Sequence, residues 1–137
     1  MKQETIISFT LTSSNHIQIE CKVNYVSGVF LVDTGASNSC IDSLSASKFN
    51  LKLKKSNEIA SSATNQINET YYSKNNILKI GDFQKNDFDF MLFDMTYINN
   101  SLKEKEILEL DGIIGSDILN QFNACINYKK KEIILEL

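Results

Sequence analysis

The feature that most constrains this chain is an apolar run that ends in a carboxylate. Residues 30–39 read Phe-Leu-Val-Asp-Thr-Gly-Ala-Ser-Asn-Ser, so three apolar residues lead directly into Asp33. An apolar run of this kind is typical of a buried strand. Because burying an unpartnered charge is costly, a carboxylate at the end of such a strand indicates one of two things. Either a turn satisfies it through backbone amides, or a reaction uses it.

The length and composition predict one globular domain that covers residues 1–137. An apolar fraction of 42% and a charged fraction of 23% are typical of a chain with a packed core. The net charge is −3 and no basic stripe is present, which argues against nucleic acid as a partner. No stretch approaches the roughly 18 apolar residues of a membrane span, so no membrane partner is expected.

Cellular location and redox state are only partly constrained by the sequence. The N-terminus lacks an apolar core long enough for a secretory signal, which predicts a cytoplasmic protein if the chain is complete. If a leader was removed, the location is unknown. The three cysteines, Cys21, Cys40 and Cys125, are odd in number and match no zinc-binding spacing. They are expected to be reduced thiols.

Hydrophobic patterning predicts a mainly β fold. Residues 16–24 alternate apolar and polar side chains, as a half-exposed strand does, and together with residues 4–12 and 29–32 they predict an antiparallel meander. Residues 56–70 are the most polar stretch and predict an exposed hairpin or loop. Residues 88–98 predict a further strand and residues 101–110 a connecting helix.

A second informative stretch lies between residues 110 and 122. Ile113 and Ile114 form a short apolar segment between two glycines, which predicts a strand approached too closely for side chains at residues 112 and 115. Ser116 or Asp117 is expected to cap a short helix that follows. Residues 124–128 and 132–137 predict a hairpin that ends the chain in a strand.

Together the two stretches resemble the retropepsin-type aspartic proteases. Residues 33–37, Asp-Thr-Gly-Ala-Ser, are similar to the active-site loop of that family, and Ile113-Ile114-Gly115 is similar to its hydrophobic-hydrophobic-glycine motif. The resemblance implies a closed or partly open β-barrel with one or two short helices. It also implies an aspartic endopeptidase that acts on polypeptide substrates, with Asp33 as the catalytic residue and no cofactor or metal.

Since the chain contains one Asp-Thr-Gly sequence, the second catalytic carboxyl is expected from another copy, which predicts a symmetric homodimer. Thr34 is expected to hold the two loops together across the symmetry axis, as the resemblance implies. Gly35 allows a backbone amide to approach the carboxylate, and Ser37 is expected to bind its outer oxygen. Ala36 supports the loop. The strands at the two ends of the chain are expected to interleave at the dimer interface.

The resemblance also implies a flap that closes over the substrate, at about residues 59–70. The expected substrate-binding residues in it are Ala60, Ser61, Ser62 and Ala63. This segment has no glycine, whereas family flaps are commonly glycine-rich, and Ser116 stands where retroviral members often carry a basic residue. The alternative function is therefore a catalytically weak or inactive binding or assembly module. A phosphate-handling aspartate loop is a third reading, which the short chain and the absence of a second nearby aspartate argue against.

Overall fold

The computed structural model describes residues 3–61, 67–104 and 109–137. The strands are β1 (Glu4–Ser8), β2 (Thr10–Leu11), β3 (Ile17–Val23), β4 (Val26–Val32), β5 (Cys40–Asp42), β6 (Lys54–Ser61), β7 (Ile67–Ile80), β8 (Phe83–Phe93), β9 (Gly112–Ile114), β10 (Cys125–Asn127) and β11 (Glu132–Glu136). The helices are α1 (Thr96–Lys103) and α2 (Ser116–Gln121), with a 3₁₀ turn at Ser43–Ser45. The mainly β fold with two short helices is the one expected.

Six strands close into a barrel in the order β3-β4-β9-β5-β8-β7, because β7 also pairs with β3. The alternation predicted for residues 16–24 is confirmed in β3, where Ile17, Ile19, Cys21 and Val23 are all buried. β6 extends the sheet beyond β7 and forms its edge. The barrel interior is the main hydrophobic core and includes Phe30, Val32 and Ile114.

The short strand β9 lies between β4 and β5 and determines the position of the Asp33 loop. It runs parallel to β4, with Leu31 opposite Ile113, and antiparallel to β5, with Cys40 opposite Ile113. A side chain on Gly112 would place its Cβ 2.4 Å from the carbonyl oxygen of Cys40. The close approach predicted at Gly112 is therefore one between the backbones of β9 and β5.

A second hydrophobic cluster lies outside the barrel, on the other face of β4 and β9. Its buried members are Leu31, Cys40, Met95, Leu102 and Leu110. Helix α1 contributes Leu102 to this cluster, and the residue before the helix contributes Met95. The strands that carry the Asp33 loop are thus packed on both faces.

The two ends of the chain form a separate small sheet in the order β1-β11-β10. Glu4 to Ser8 pair antiparallel with residues 132–136 of the same chain. The predicted terminal strands exist, and in the single chain they pair with each other. β1 is an edge of this sheet, and Ile6 on it is 54% exposed.

Two predicted boundaries near residue 95 are wrong. The strand predicted for residues 88–98 ends at Phe93, and the helix predicted from residue 101 begins at Thr96. The side chain of Asp94 accepts hydrogen bonds from both the backbone amide and the hydroxyl of Thr96. This local turn starts the helix earlier than the Ser101 capping pattern suggested, and Ser101 lies inside it.

The described parts of the polar stretch, residues 56–61 and 67–70, lie on the paired strands β6 and β7. β6 and β7 pair from Lys54 opposite Tyr72 to Ser61 opposite Ile67.

All three cysteines are free; Cys21 and Cys40 are buried, and Cys125 is exposed. Burial raises the pKa of the Cys40 thiol to about 12. None of the helices in the described ranges has the length and apolar character needed to cross a membrane.

Candidate active site

Asp33 is the first residue after β4 and heads a tight turn. Its backbone amide donates to the carbonyl oxygen of Ile114 at 2.9 Å, which continues the pairing of β4 with β9. The amide of Ala36 donates to the carbonyl of Asp33 at 3.1 Å and closes the turn. The side chain is exposed, and its Oδ1 accepts a hydrogen bond from the amide of Gly35 at 2.9 Å.

The other predicted loop residues differ in exposure. Thr34 and Ser37 are exposed, and Ala36 is half-buried. Within the described part of the chain, no hydrogen bond joins Ser37 to Asp33; the backbone amide of Gly35 contacts the carboxylate instead. A single chain therefore leaves the outer face of the loop open.

The loop is fixed from beneath by the second motif. Both the amide and the hydroxyl of Ser116 donate to the carbonyl oxygen of Ala36, at 2.7 and 3.1 Å. A Cβ on Gly115 would lie 2.6 Å from the same oxygen. The glycine of the second motif thus leaves room for the carbonyl that Ser116 binds.

Ser39 joins the loop to helix α2 and was not predicted. Its hydroxyl accepts a hydrogen bond from the amide of Gly115 at 2.8 Å and donates to Oδ1 of Asp117 at 2.7 Å. The amide of Ser39 donates to both oxygens of that carboxylate at 3.0 Å. Ser39 is only 4% exposed, so this network lies beneath the Asp33 loop.

The prediction that Ser116 or Asp117 caps helix α2 is wrong. Gly115 holds the N-cap position, with no side-chain capping bond. Ser116 and Asp117 both bind the Asp33 loop instead, as described above. In the sequence, these two residues are recognisable only as candidates for a helix cap. That pattern gives no indication that their side chains bind a loop about 80 residues away.

Asp111, the other aspartate followed by glycine, belongs to the scaffold. Its carboxylate accepts hydrogen bonds from the amide of Val29 at 2.9 Å and the hydroxyl of Ser45 at 2.9 Å. Nζ of Lys48 forms an ion pair with it at 2.7 Å. These contacts tie β4 to the 3₁₀ turn and leave this carboxylate engaged away from Asp33.

Asp42 forms a buried polar centre behind the site. Its carboxylate accepts from the amides of Leu44 and Met95 and from the side-chain amide of Asn99. Asn99 also binds both the amide and the carbonyl of Leu110. Burial raises the pKa of the Asp42 carboxyl, the hydrogen bonds from the backbone lower it, and nearby negative charges raise it further.

The structure covers the predicted substrate-binding residues only in part. Ala60 and Ser61 lie in β6, opposite Asn68 and Ile67 of β7. Ser62 and Ala63 lie outside the described residues. In the described ranges, no group of three or more His, Cys, Asp or Glu side chains is arranged to hold a metal ion.

Comparison with solved structures identifies the same architecture. A retropepsin-like aspartic protease from Rickettsia conorii superposes with a TM-score of 0.64 at 21% identity, over 99% of this chain and 92% of that one. The EIAV protease in complex with the inhibitor HBY-793 gives 0.62 at 16% identity, over 86% and 98%. The retroviral protease-like domain of Ddi1 from Leishmania major gives 0.57 at 18% identity, over 88% and 85%. At these identities the likeness shows the fold.

Comparison with curated protein sequences gives no match. The family model for aspartyl proteases matches residues 19–118, which include both the Asp33 loop and the β9 motif. The matched range is most of the chain, and the barrel places the two motifs in contact. The chain therefore belongs to the aspartyl protease family and has its retropepsin-like fold.

Proposed function

We propose that this protein is an aspartic endopeptidase that works as a homodimer, with Asp33 of each subunit forming the catalytic pair. The observation that carries the proposal is the position of Asp33. An exposed carboxylate ends a buried strand, and its loop is fixed by backbone hydrogen bonds to Ile114 and Ser116. A rigid scaffold that presents one unburied acid is suited to chemistry rather than to stability.

The reaction needs both an acid and a base. Hydrolysis of a peptide bond without a metal requires a base to activate water and an acid to protonate the leaving nitrogen. Two carboxyl groups about 3 Å apart cannot both ionise, so the pair shares one proton and supplies both functions. Asp111 and Asp117 are held by scaffold contacts, so the second carboxyl is assigned to Asp33 of the partner chain.

The neighbouring residues take the roles expected from the family. Thr34, whose side chain is exposed, is assigned to hydrogen bonding across the two-fold axis. Ser37 is assigned to the outer carboxylate oxygen once the partner loop is present. The β6–β7 hairpin, with Ala60, Ser61, Ser62 and Ala63, is assigned to the extended substrate, which would be held through its backbone.

The terminal sheet is the proposed dimer contact. β1 is an edge strand of that sheet, and Ile6 on it is 54% exposed. An edge strand with unpaired backbone groups is a ready surface for another chain. A symmetric contact at this edge would use the same strand of both subunits.

The test is cleavage of an unfolded protein at acidic pH by the parent and by Asp33→Asn. We expect the variant to lose cleavage and to keep its fold. Asp87→Asn is the matched control, because Asp87 is exposed and its φ of 55° suits asparagine equally well. If Asp33→Asn cleaves as fast as the parent, the proposal is wrong.

A mixing experiment tests the shared site. If parent and Asp33→Asn chains exchange freely at equal concentration, about one quarter of the dimers contain two aspartates. We expect the activity per total dimer to fall to that fraction of the all-parent value. An activity of one half would show that each chain acts alone.

A binding or assembly module with little activity is the alternative. The absence of glycine in residues 59–70 favours it, because flap closure would rest on other residues. A stable monomer at micromolar concentration, with no cleavage from about pH 3 to pH 7, would support this alternative.

A further inference from the structure

A recess lined by lysines lies at the end of the β6–β7 ladder where Lys54 pairs with Tyr72. The first part is a cavity of about 210 Å³ lined by Lys52, Lys54, Tyr72, Lys74 and Asn75. An adjoining cavity of about 330 Å³ shares Lys52, Lys74 and Asn75 and adds Asn24, Asn50 and Asn76. We call the two together the lysine recess.

The register of the hairpin brings these lysines together. Lys54 stands directly opposite Tyr72 across the β6–β7 ladder. Lys74 follows two residues later, so it projects from the same face of β7 as Tyr72. Its Nζ lies 5.6 Å from the centre of the tyrosine ring. Lys52 precedes β6 and completes the lining.

The lysines of the recess carry positive charge that the described side chains do not balance with an ion pair. Among the side chains that the structure describes, no carboxylate lies within ion-pair distance of Lys52, Lys54 or Lys74. Their neighbour Lys55, by contrast, pairs with Glu69 at 3.3 Å. One carboxylate does contact the lining, since Asp89 accepts a hydrogen bond from the backbone amide of Asn75. A chain with a net charge of −3 thus places three lysines on one concave surface, and none of them has an ion-pair partner among the described side chains.

Protection of a sheet edge explains only part of this arrangement. β6 is the edge strand, and lysines on an edge discourage pairing with other chains. Lys74 lies on β7 two residues past Tyr72, where the pairing of β7 with β6 ends, and the pairing of β7 with β8 shifts register between Ser73 and Asn76. Protection of an edge does not account for the position of Lys74 over the Tyr72 ring, in the same cavity as Lys52 and Lys54.

We propose that the lysine recess binds an acidic segment of the polypeptide substrate, outside the site of cleavage. This inference rests on the proposed peptidase function. The recess is too small for the many phosphate contacts that hold nucleic acid. Lys54 and Ser61 mark the two ends of β6, roughly 23 Å apart for an extended strand. The acidic segment would therefore lie roughly seven residues from the part of the substrate held at the other end of the hairpin.

The test is direct binding, measured with the Asp33→Asn protein so that no cleavage occurs. The probe is a fluorescent peptide with a run of glutamates, and its anisotropy is compared with that of a glutamine version. We expect Lys52→Gln/Lys74→Gln to weaken binding of the glutamate peptide by at least about fivefold. Lys129→Gln/Lys130→Gln makes the same change of charge on an exposed turn and should change it less than about twofold.

Equal affinity for the two peptides, or equal loss in both double variants, would overturn the proposal. Tighter binding of an oligonucleotide by the same lysines would overturn it as well. A second measurement covers the case in which the active protein cleaves peptides. There, Lys52→Gln/Lys74→Gln should raise KM for an acidic substrate and leave kcat unchanged. Because the binding test needs no activity, its failure and the failure of the proposed peptidase function are separate results.

Discussion

Replacing Ser39 by alanine is the sharpest test of how the Asp33 loop is held. The hydroxyl of Ser39 accepts from the amide of Gly115 at 2.8 Å and donates to Asp117 at 2.7 Å. Alanine fits the space, so the backbone is not strained. The change removes one acceptor and one donor from a buried position beneath the loop.

The expected loss of stability follows from these two bonds. Gly115 is buried, and a buried amide left without an acceptor costs about 1–3 kcal/mol. Asp117 is exposed and keeps the amide of Ser39 as a partner, so the second bond adds about 1 kcal/mol or less. We expect the free energy of unfolding to fall by about 1–4 kcal/mol. With a urea dependence near 1.5 kcal/mol per M, the midpoint should drop by roughly 0.7–2.7 M.

The measurement is urea unfolding at a fixed chain concentration, because assembly contributes to apparent stability. Ser37→Ala is the matched control, since Ser37 lies two residues away and is exposed. We expect it to change stability by less than about 0.5 kcal/mol. If Ser39→Ala is as stable as Ser37→Ala, the network does not hold the loop and the reasoning is refuted.

Three further substitutions test the scaffold. Gly112→Ala would place a Cβ 2.4 Å from the carbonyl of Cys40, so we expect a loss of at least about 2 kcal/mol in unfolding free energy; parent-like stability would show that β5 moves aside. Lys48→Met removes the ion pair with Asp111, but the lysine side chain is 45% exposed. We therefore expect thermal unfolding to show a loss of about 1 kcal/mol or less in unfolding free energy, and a larger loss would contradict this expectation. Because the folded-state pKa of Asp42 is raised, its protonation favours the folded state, and this contribution disappears as pH rises through the folded pKa. Unfolding measured from about pH 4 to pH 7 should therefore show the parent gaining stability relative to Asp42→Asn as pH falls, and a constant difference would contradict the shift.

The local pattern was enough to predict the two motifs and most of the strands, but not β5. β3 is recognisable because its apolar side chains alternate, and β9 because two isoleucines lie between glycines. These signals depend on residues next to each other in the chain. The barrel was predicted from the resemblance to retropepsins, because local patterning alone does not determine how strands close into a barrel.

The contacts that hold the site were not predictable in the same way. Ser39 and Asp117 bond across a separation of 78 residues, and each looks like an ordinary turn or cap residue in the sequence. The start of α1 was missed because Asp94 forms a turn with Thr96, which the capping pattern at Ser101 did not indicate. A short polar side chain can satisfy either a local turn or a distant loop, and only the packed structure decides which.

The described contacts of the Asp33 loop all come from one side. Ile114, Ser116 and the Ser39–Asp117 network lie beneath it, while the outer face that carries Thr34 is exposed. A single hydrated carboxylate offers a base but no acid, so a rigid loop of this kind is incomplete for hydrolysis by itself. On the proposed mechanism the partner loop supplies both the second carboxyl and the desolvation that forces the pair to share a proton. At chain concentrations well below the dimer dissociation constant, activity should therefore rise with the square of the concentration, and a linear rise would place the complete site within one chain.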